Sequence, residues 1–370
     1  MQKDFVKRAN MMRTEYLLKT EALFLAERKG WFSDFGEHFK AVCARIRELQ
    51  EASVLSAISY LEYTMLYVNF INRRYIAEVC VYGDENYLDE KQLVVDEYDV
   101  SFLFIYFDKL WDELLAMRKR YVGKVSARDV MSFMLEILPD FYSYLVSIAR
   151  YAIVESVESE SFIDIDRNET FKVNVGDYMA STEPVFVESK NKDAKSLSKR
   201  ILRRIENENA YDDYSELDFT GQSFKYTEFR YSHFRRSCLN RVSLEGSILN
   251  GASFYKSKME NCCMDNSTIY EADFSYAVLR KASFVNAQGR AGLANEKEWS
   301  YDGFLPVRFR YADLTNADFS GANLVGADFT CAILSGACFA GANLTDADFS
   351  GAELDGADFT GAIGTAFDTI

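Results

Sequence analysis

YADLTNADFSGANLVGADFTCAILSGACFAGANLTDADFSGAELDGADFTG, residues 311–361, is one five-residue unit written ten times in succession. A large apolar residue stands at each centre: Leu314, Phe319, Leu324, Phe329, Leu334, Phe339, Leu344, Phe349, Leu354 and Phe359. An alanine lies two residues before every centre, from Ala312 to Ala357, usually with Asp or Asn between them. Period five matches neither the 3.6 of a helix nor the 2 of a strand. It is satisfied if each unit forms one side of a four-sided coil, with the centre and the alanine pointing inward and the other three residues outward. Four sides close a coil of twenty residues, and successive coils stack through backbone hydrogen bonds at about 4.8 Å.

Residues twenty apart should then lie above one another, and the sequence pairs like with like. Phe319, Phe339 and Phe359 fall on one ladder, Phe329 and Phe349 on a second, Leu314, Leu334 and Leu354 on a third, Leu324 and Leu344 on the fourth. This pattern resembles the pentapeptide-repeat family, whose unit is A(D/N)LXX. The resemblance implies a right-handed quadrilateral parallel β-helix, a repeat solenoid in which each coil contacts only its neighbours.

The same frame runs upstream in a degenerate form, over residues 215–288. Its centres are Phe219, Phe224, Phe229, Phe234, Leu239, Leu244, Leu249, Phe254, Met259, Met264, Ile269, Phe274, Leu279 and Phe284. Phe234, Phe254 and Phe274 again recur at twenty. The frame breaks at Gly289 and resumes for residues 307–370. Trp299 and Phe304 keep the five-residue count, but Lys297 and Asp302 would then point inward, which is costly for charges. Residues 289–306 therefore read as a loop or bulged coil, with Glu296, Glu298, Trp299 and Tyr301 as its candidate contact residues; loops of this kind carry function.

Residues 1–189 carry no recognised motif and read as a mainly helical α+β domain. Apolar spacing predicts a helix over residues 2–29, stopped at Gly30, and a second over 34–51. ISYLEYTMLYVNFI and YIAEVCVYG read as strands turning at Asn72-Arg73-Arg74, with a helix as the alternative for the first. A helix is expected over 101–121. Ser126 is a candidate N-cap for the next, and Pro139 kinks or restarts it. FIDID, FKVNV and PVFVE read as three short strands, the first two joined by Arg167-Asn168-Glu169. Residues 191–207, within the segment 190–214, read as a basic amphipathic helix that caps the first coil through Leu197, Ile201 and Ile205; contact of its basic face with nucleic acid or an acidic partner is the alternative.

The chain has 370 residues, a net charge of −15 and two histidines, His38 and His233. No apolar run approaches the 18 residues of a membrane span. Seven cysteines without framework spacing point to free thiols in a reducing cytoplasm; a non-cleaved bacterial secretion signal is compatible with the N-terminus. HExxH, GxSxG, P-loop and Rossmann fingerprints are absent, and His38 and Cys43 diverge on a helix. No catalytic residue, metal or cofactor is expected. The charge is uneven: residues 307–370 have two arginines against nine carboxylates, while 215–288 have nine cations against eight. Asp318, Asp328, Asp348 and Asp358 are the candidate acidic surface, although Asp is also simply part of the motif.

The pattern predicts a non-catalytic interaction protein that uses its coils to dock a protein partner. By resemblance, DNA-mimic protection of a type II topoisomerase is one alternative and a secreted bacterial effector another; an enzyme in the N-terminal domain is a weak third. The last centre is Phe359, because Gly364 stands where the next would be. A homodimer through the C-terminal coils is expected, with Phe359, Phe367 and Ile370 at its contact; a monomer capped by its own tail is the alternative.

Overall fold

The computed structural model describes residues 3–83, 93–177, 182–205, 208–291 and 304–364. They fall into two compact units that divide between Glu188 and Ser189.

The first unit is built on α1 (Lys3–Glu51), one helix of 49 residues that runs straight through Gly30. The expected stop at Gly30 is thus corrected. A mid-helix glycine costs only about 1 kcal/mol relative to alanine, and Phe24, Phe32, Phe35 and Phe39 form one buried stripe across it. At Gly36 the lack of a side chain matters, since a Cβ there would come within 3.2 Å of Ser156 Oγ on the neighbouring helix. A five-stranded sheet follows in the order β3-β2-β1-β4-β5. Its strands are β1 (Ile58–Met65), β2 (Ile76–Tyr82), β3 (Leu93–Asp99), β4 (Arg167–Asp177) and β5 (Thr182–Ser189). β1 pairs antiparallel with β2 and parallel with β4. The helices are α2 (Tyr67–Ile71), α3 (Ile105–Arg118), α4 (Ala127–Glu136), α5 (Leu138–Ser156) and α6 (Glu160–Ile163). α1 packs on α3, α5 and α6. Rings fill the contacts: Phe24 lies 5.1 Å from Tyr144, and Phe35 lies 4.9 Å from Tyr63.

Several local expectations change here. Between β1 and β2 the chain makes the short helix α2 and reverses at Arg73, in the left-handed region at φ +55°, so the turn is longer than three residues. The helix expected from residue 101 begins at Ile105, after a 3₁₀ turn. FIDID is not a strand: it spans the end of α6 and the turn after it, and Arg167-Asn168-Glu169 belongs to β4 rather than to a loop. Phe162 explains the change, because in α6 it is buried against Phe39, Phe171 and Phe186. β3 was not anticipated. Ser126 does cap α4, in a reciprocal box with Asp129, and Pro139 sits in the first turn of α5.

The second unit opens with α7 (Ala194–Ile201), capped by Asp193. It is shorter than the expected 191–207. Ile201 is buried in the coil core, but Ile205, the next residue of its stripe, is 54% exposed, and Arg204 between them is left-handed. Part of its basic face meets the first coil: Lys192 pairs with Asp213 at 2.5 Å, and Arg200 with Asp212 and the Tyr214 hydroxyl. The coils begin one unit earlier than expected, at Tyr214, whose ring stacks on Phe234 at 4.8 Å. Tyr214 escaped notice because the inward place two residues before it holds a charged Asp212, which Arg200 compensates.

From there a parallel bridge joins each unit to the one twenty residues on, from Asp213↔His233 to Asn343↔Ile363. Phe319, Phe339 and Phe359 stack at 5.0 and 5.1 Å, and Phe309, Phe329 and Phe349 at 5.0 and 4.9 Å. These separations match strand spacing because the backbones set them. All described centres from Tyr214 to Leu344 are buried, Gly289 among them. The residue two after a centre is left-handed along the coils, with φ between +55° and +74°. In the last coils it is usually glycine, as at Gly321, Gly336 and Gly356; in the first coils it is usually not. A residue with a Cβ loses roughly 1–2 kcal/mol there.

One coil is longer. Asp273 bridges Arg308 and Gln288 bridges Asn323, thirty-five residues apart rather than twenty, so fifteen more residues separate these rungs than separate the others. The frame survives Gly289, contrary to expectation: Gly289 occupies a centre and donates to Asn323 O, and a Cβ there would come within 2.8 Å of Ile269 Cγ1. Ala291, the last described residue before residue 304, donates to Val325 O. Glu271 Oε1 accepts the N–H groups of Phe304 and Leu305 at 2.6 and 3.0 Å.

Candidate functional site

The motif's Asp has a structural task that spacing alone does not reveal. Its Oδ1 accepts the N–H of the residue two further on, and so ties down the corner: Asp318 to Ser320 at 2.8 Å, Asp328 to Thr330 at 3.0 Å, Asp348 to Ser350 at 2.9 Å, Asp358 to Thr360 at 2.9 Å. Asn343 does the same for Thr345. This explains why Asp and Asn share the position, since both place an acceptor oxygen there. At Asp358 the Thr360 hydroxyl and N–H hold the carboxyl below its ordinary range. At Asp313 burial pushes the pKa upward, but the Thr315 hydroxyl and Arg280 outweigh it and the value is lowered.

The four candidate carboxylates do not form one patch. Asp328 and Asp348 are bridged directly, one coil apart. Asp318 and Asp358 lie half a coil away around the stack, with Cys338 between them. Arg310 stands 3.7 Å from Asp328. Patterning alone predicts that Asp328→Ala is neutral or slightly stabilising. The observed hydrogen bond predicts instead a loss of about 0.5–1.5 kcal/mol, and Asp328→Asn should recover most of it. Equal losses for the two in thermal melts would assign the effect to the Arg310 pair instead.

At the C-terminal end the centres Phe349, Leu354 and Phe359 are only partly buried. Gly364 packs closely on the preceding coil: at φ +78° a Cβ there would fall 2.4 Å from Thr345 Cα. The remaining candidates, Glu296, Glu298, Trp299, Tyr301, Phe367 and Ile370, lie outside the described residues.

In the first unit, His38 Nδ1 is 3.3 Å from the Tyr63 hydroxyl and Nε2 is 3.9 Å from Asp96. Burial lowers its pKa. Cys43 is buried, and burial pushes its thiol up to about 12, as it does that of Cys262. Thiols so placed are poor nucleophiles. Among the described residues no group of His, Cys, Asp and Glu could hold a metal ion, and no helix is long and apolar enough to cross a membrane.

Comparison with known proteins fits this register. The sequence model described as pentapeptide repeats matches in eight copies, over residues 227–266, 308–346 and 334–363. Among solved structures, HetL, a pentapeptide repeat protein involved in heterocyst differentiation regulation in the cyanobacterium Nostoc sp. strain PCC 7120, is 20% identical. It aligns over 47% of this chain and 99% of its own, with a TM-score of 0.21. QnrB1, a plasmid-mediated fluoroquinolone resistance protein, is 16% identical over 43% of this chain and 94% of its own, with a TM-score of 0.24. A pentapeptide repeat protein from the Arabidopsis thaliana thylakoid lumen is 28% identical over 32% and 66%, with a TM-score of 0.15. No curated protein matches the chain. With the family's sequence signature laid over these bridged coils, residues 227–266 and 308–363 of this chain are pentapeptide repeats.

Proposed function

We propose that the chain is a non-catalytic docking protein, an α+β domain joined to a right-handed, four-sided rod whose outer surface holds a protein partner. The observation that carries this is the division of labour within each unit. The inward residues and the backbone are consumed in stacking, while the outward positions vary from coil to coil and are free to encode a surface. Capture of partners from the host by the intact chain tests the reading. A specific partner should be retained, and lost when outward residues of the coils are changed with the melting temperature preserved. A partner retained by every such variant would sink the rod as the docking element.

The acidic columns favour a second reading, protection of a type II topoisomerase by DNA mimicry. Carboxylates on columns half a coil apart would offer charge on two sides of the rod, as a duplex does. The protein should then shield gyrase from quinolone-induced cleavage, less so as salt rises. Changing Asp318, Asp328, Asp348 and Asp358 together to Asn, which keeps the corner acceptor, should abolish the shielding. Unaltered cleavage and supercoiling at micromolar protein would retire this reading.

We propose further that two copies pair through their C-terminal coils, with Phe359, Phe367 and Ile370 at the contact. The partly buried centres Phe349, Leu354 and Phe359 at that end support this. Light scattering should give a dimer that Phe359→Asp dissociates; a monomer in both would overturn it. Residence in the cytoplasm fits the free thiols, and delivery as an effector is the alternative that a secretion assay would separate.

A further inference from the structure

The nine Lys and Arg of residues 215–288 look evenly matched by carboxylates along the chain, but the bridge register sorts them around the stack. The outward residues of the Phe234 and Leu239 columns cover one half of the coil surface. Seven of the nine cations lie there against four carboxylates; Arg235 is buried and Arg280 pairs with Asp313 of the next coil at 2.6 Å, which leaves Arg236, Arg241, Lys256, Lys258 and Lys281. The other half holds two cations, Lys225 and Arg230, against four carboxylates. Local excess charge of one sign, rather than net charge, decides what a surface attracts.

Backbone geometry supports a role for these cations. Arg236, Arg241, Lys256 and Lys281 all occupy left-handed corners, at φ +55°, +58°, +57° and +56°. The same corner columns end in Gly351, and in Gly336 and Gly356, where no strain arises. The first coils thus carry long cations at positions that glycine would fill more comfortably. The corner backbone is common to the coils, with Glu216, Asn261 and Glu271 adopting it too, so what distinguishes these corners is the cation placed on them. Tyrosines accompany them: Tyr276 and Tyr311 stack at 4.9 Å, and are 42% and 45% exposed. Lys256 Nζ lies 4.9 Å from the Tyr255 ring and 6.0 Å from that of Tyr276, and Arg235 reaches over Tyr255 at 5.4 Å.

We propose that this strip binds a single-stranded nucleic acid, with phosphates on the corner cations and bases against the exposed tyrosines. Cations interleaved with aromatic rings are the general solution for holding a single strand without reading its sequence. The cations follow corner columns on an outer surface, which a flexible strand can track. An acidic polypeptide would satisfy the charge but make no use of Tyr276 and Tyr311. The proposal is independent of what the acidic coils hold.

Fluorescence anisotropy of a labelled oligo-dT of about 20 nucleotides, titrated with the full chain, tests it. If about four phosphates are neutralised, affinity should fall roughly fifty-fold between about 50 and 200 mM salt. The triple variant Arg241→Gly, Lys256→Gly, Lys281→Gly removes three cations while relieving three strained corners, so it should stay folded and bind at least about ten-fold more weakly. Lys225→Gln with Arg230→Gln, on the other half, should leave binding unchanged. No binding at about 50 mM salt, or equal affinity in the triple variant, would overturn the proposal. So would poly-glutamate displacing the oligonucleotide at equal charge concentration, which would assign the strip to an acidic polypeptide.

Discussion

Phe339→Ala is expected to destabilise the coils by roughly 3–5 kcal/mol. The ring is fully buried and touched on every side. Phe319 and Phe359 stack on its two faces at 5.0 and 5.1 Å, while Phe329 and Phe349 meet it edge-on at 5.6 and 5.9 Å. The cavity left behind cannot close, because the coils above and below are held at their spacing by backbone bonds such as Phe339 N to Asp358 O at 2.7 Å. Phe359→Ala removes the same atoms from a partly buried site that, among the described residues, has a coil on one side only, so it should cost about half as much. Denaturant midpoints would check this. Equal losses at the two positions would contradict the stacking order, since in a solenoid each coil is stabilised by its immediate neighbours.

The second large effect is expected at Arg308, the first described bridged residue after Gln288. Its guanidinium is buried 3.5 Å from the equally buried Asp273 Oδ2, while Asp273 Oδ1 accepts from the Ser275 hydroxyl and N–H. Arg308→Ala strands a carboxylate oxygen inside the wall, and removing one member of a buried pair costs about 3 kcal/mol or more. The double change Arg308→Ala, Asp273→Ala should be milder than Arg308→Ala alone, because the stranded charge is gone. A double variant worse than the single would show that Arg308 acts through its packing rather than through Asp273.

How much of this was legible in the sequence depended on whether one residue type had one job. Phenylalanine and leucine at period five can only be core, so the ladders could be read outright. The Asp of the motif has two jobs, holding the corner and charging the surface, and only the hydrogen bond to the residue two further on separates them. Left-handed corners are visible where glycine marks them, as at Gly336, and invisible where Arg241 or Lys281 adopts the same backbone. In the first unit the aromatic residues defeated the reading, because Phe162 or Tyr63 suits a helix stripe and a strand alike. Gly30 misled for the opposite reason: a local stop signal was outweighed by phenylalanines packed on both sides of it.

The longer spacing between the rungs at Asp273 and Arg308 has a consequence for how this architecture changes length. The bonds that hold the stack run between turns of the wall, from Asp273 to Arg308 as readily as from Ser253 to Asp273. Chain length between two rungs is therefore not constrained by the rungs, and the entropy of closing a longer connection grows only with the logarithm of its length. A gene encoding such a wall can gain whole turns without disturbing its stack, or gain appendages at a corner and keep its register. The two kinds of growth are independent, so the reach of the rod and the equipment it carries can be altered separately.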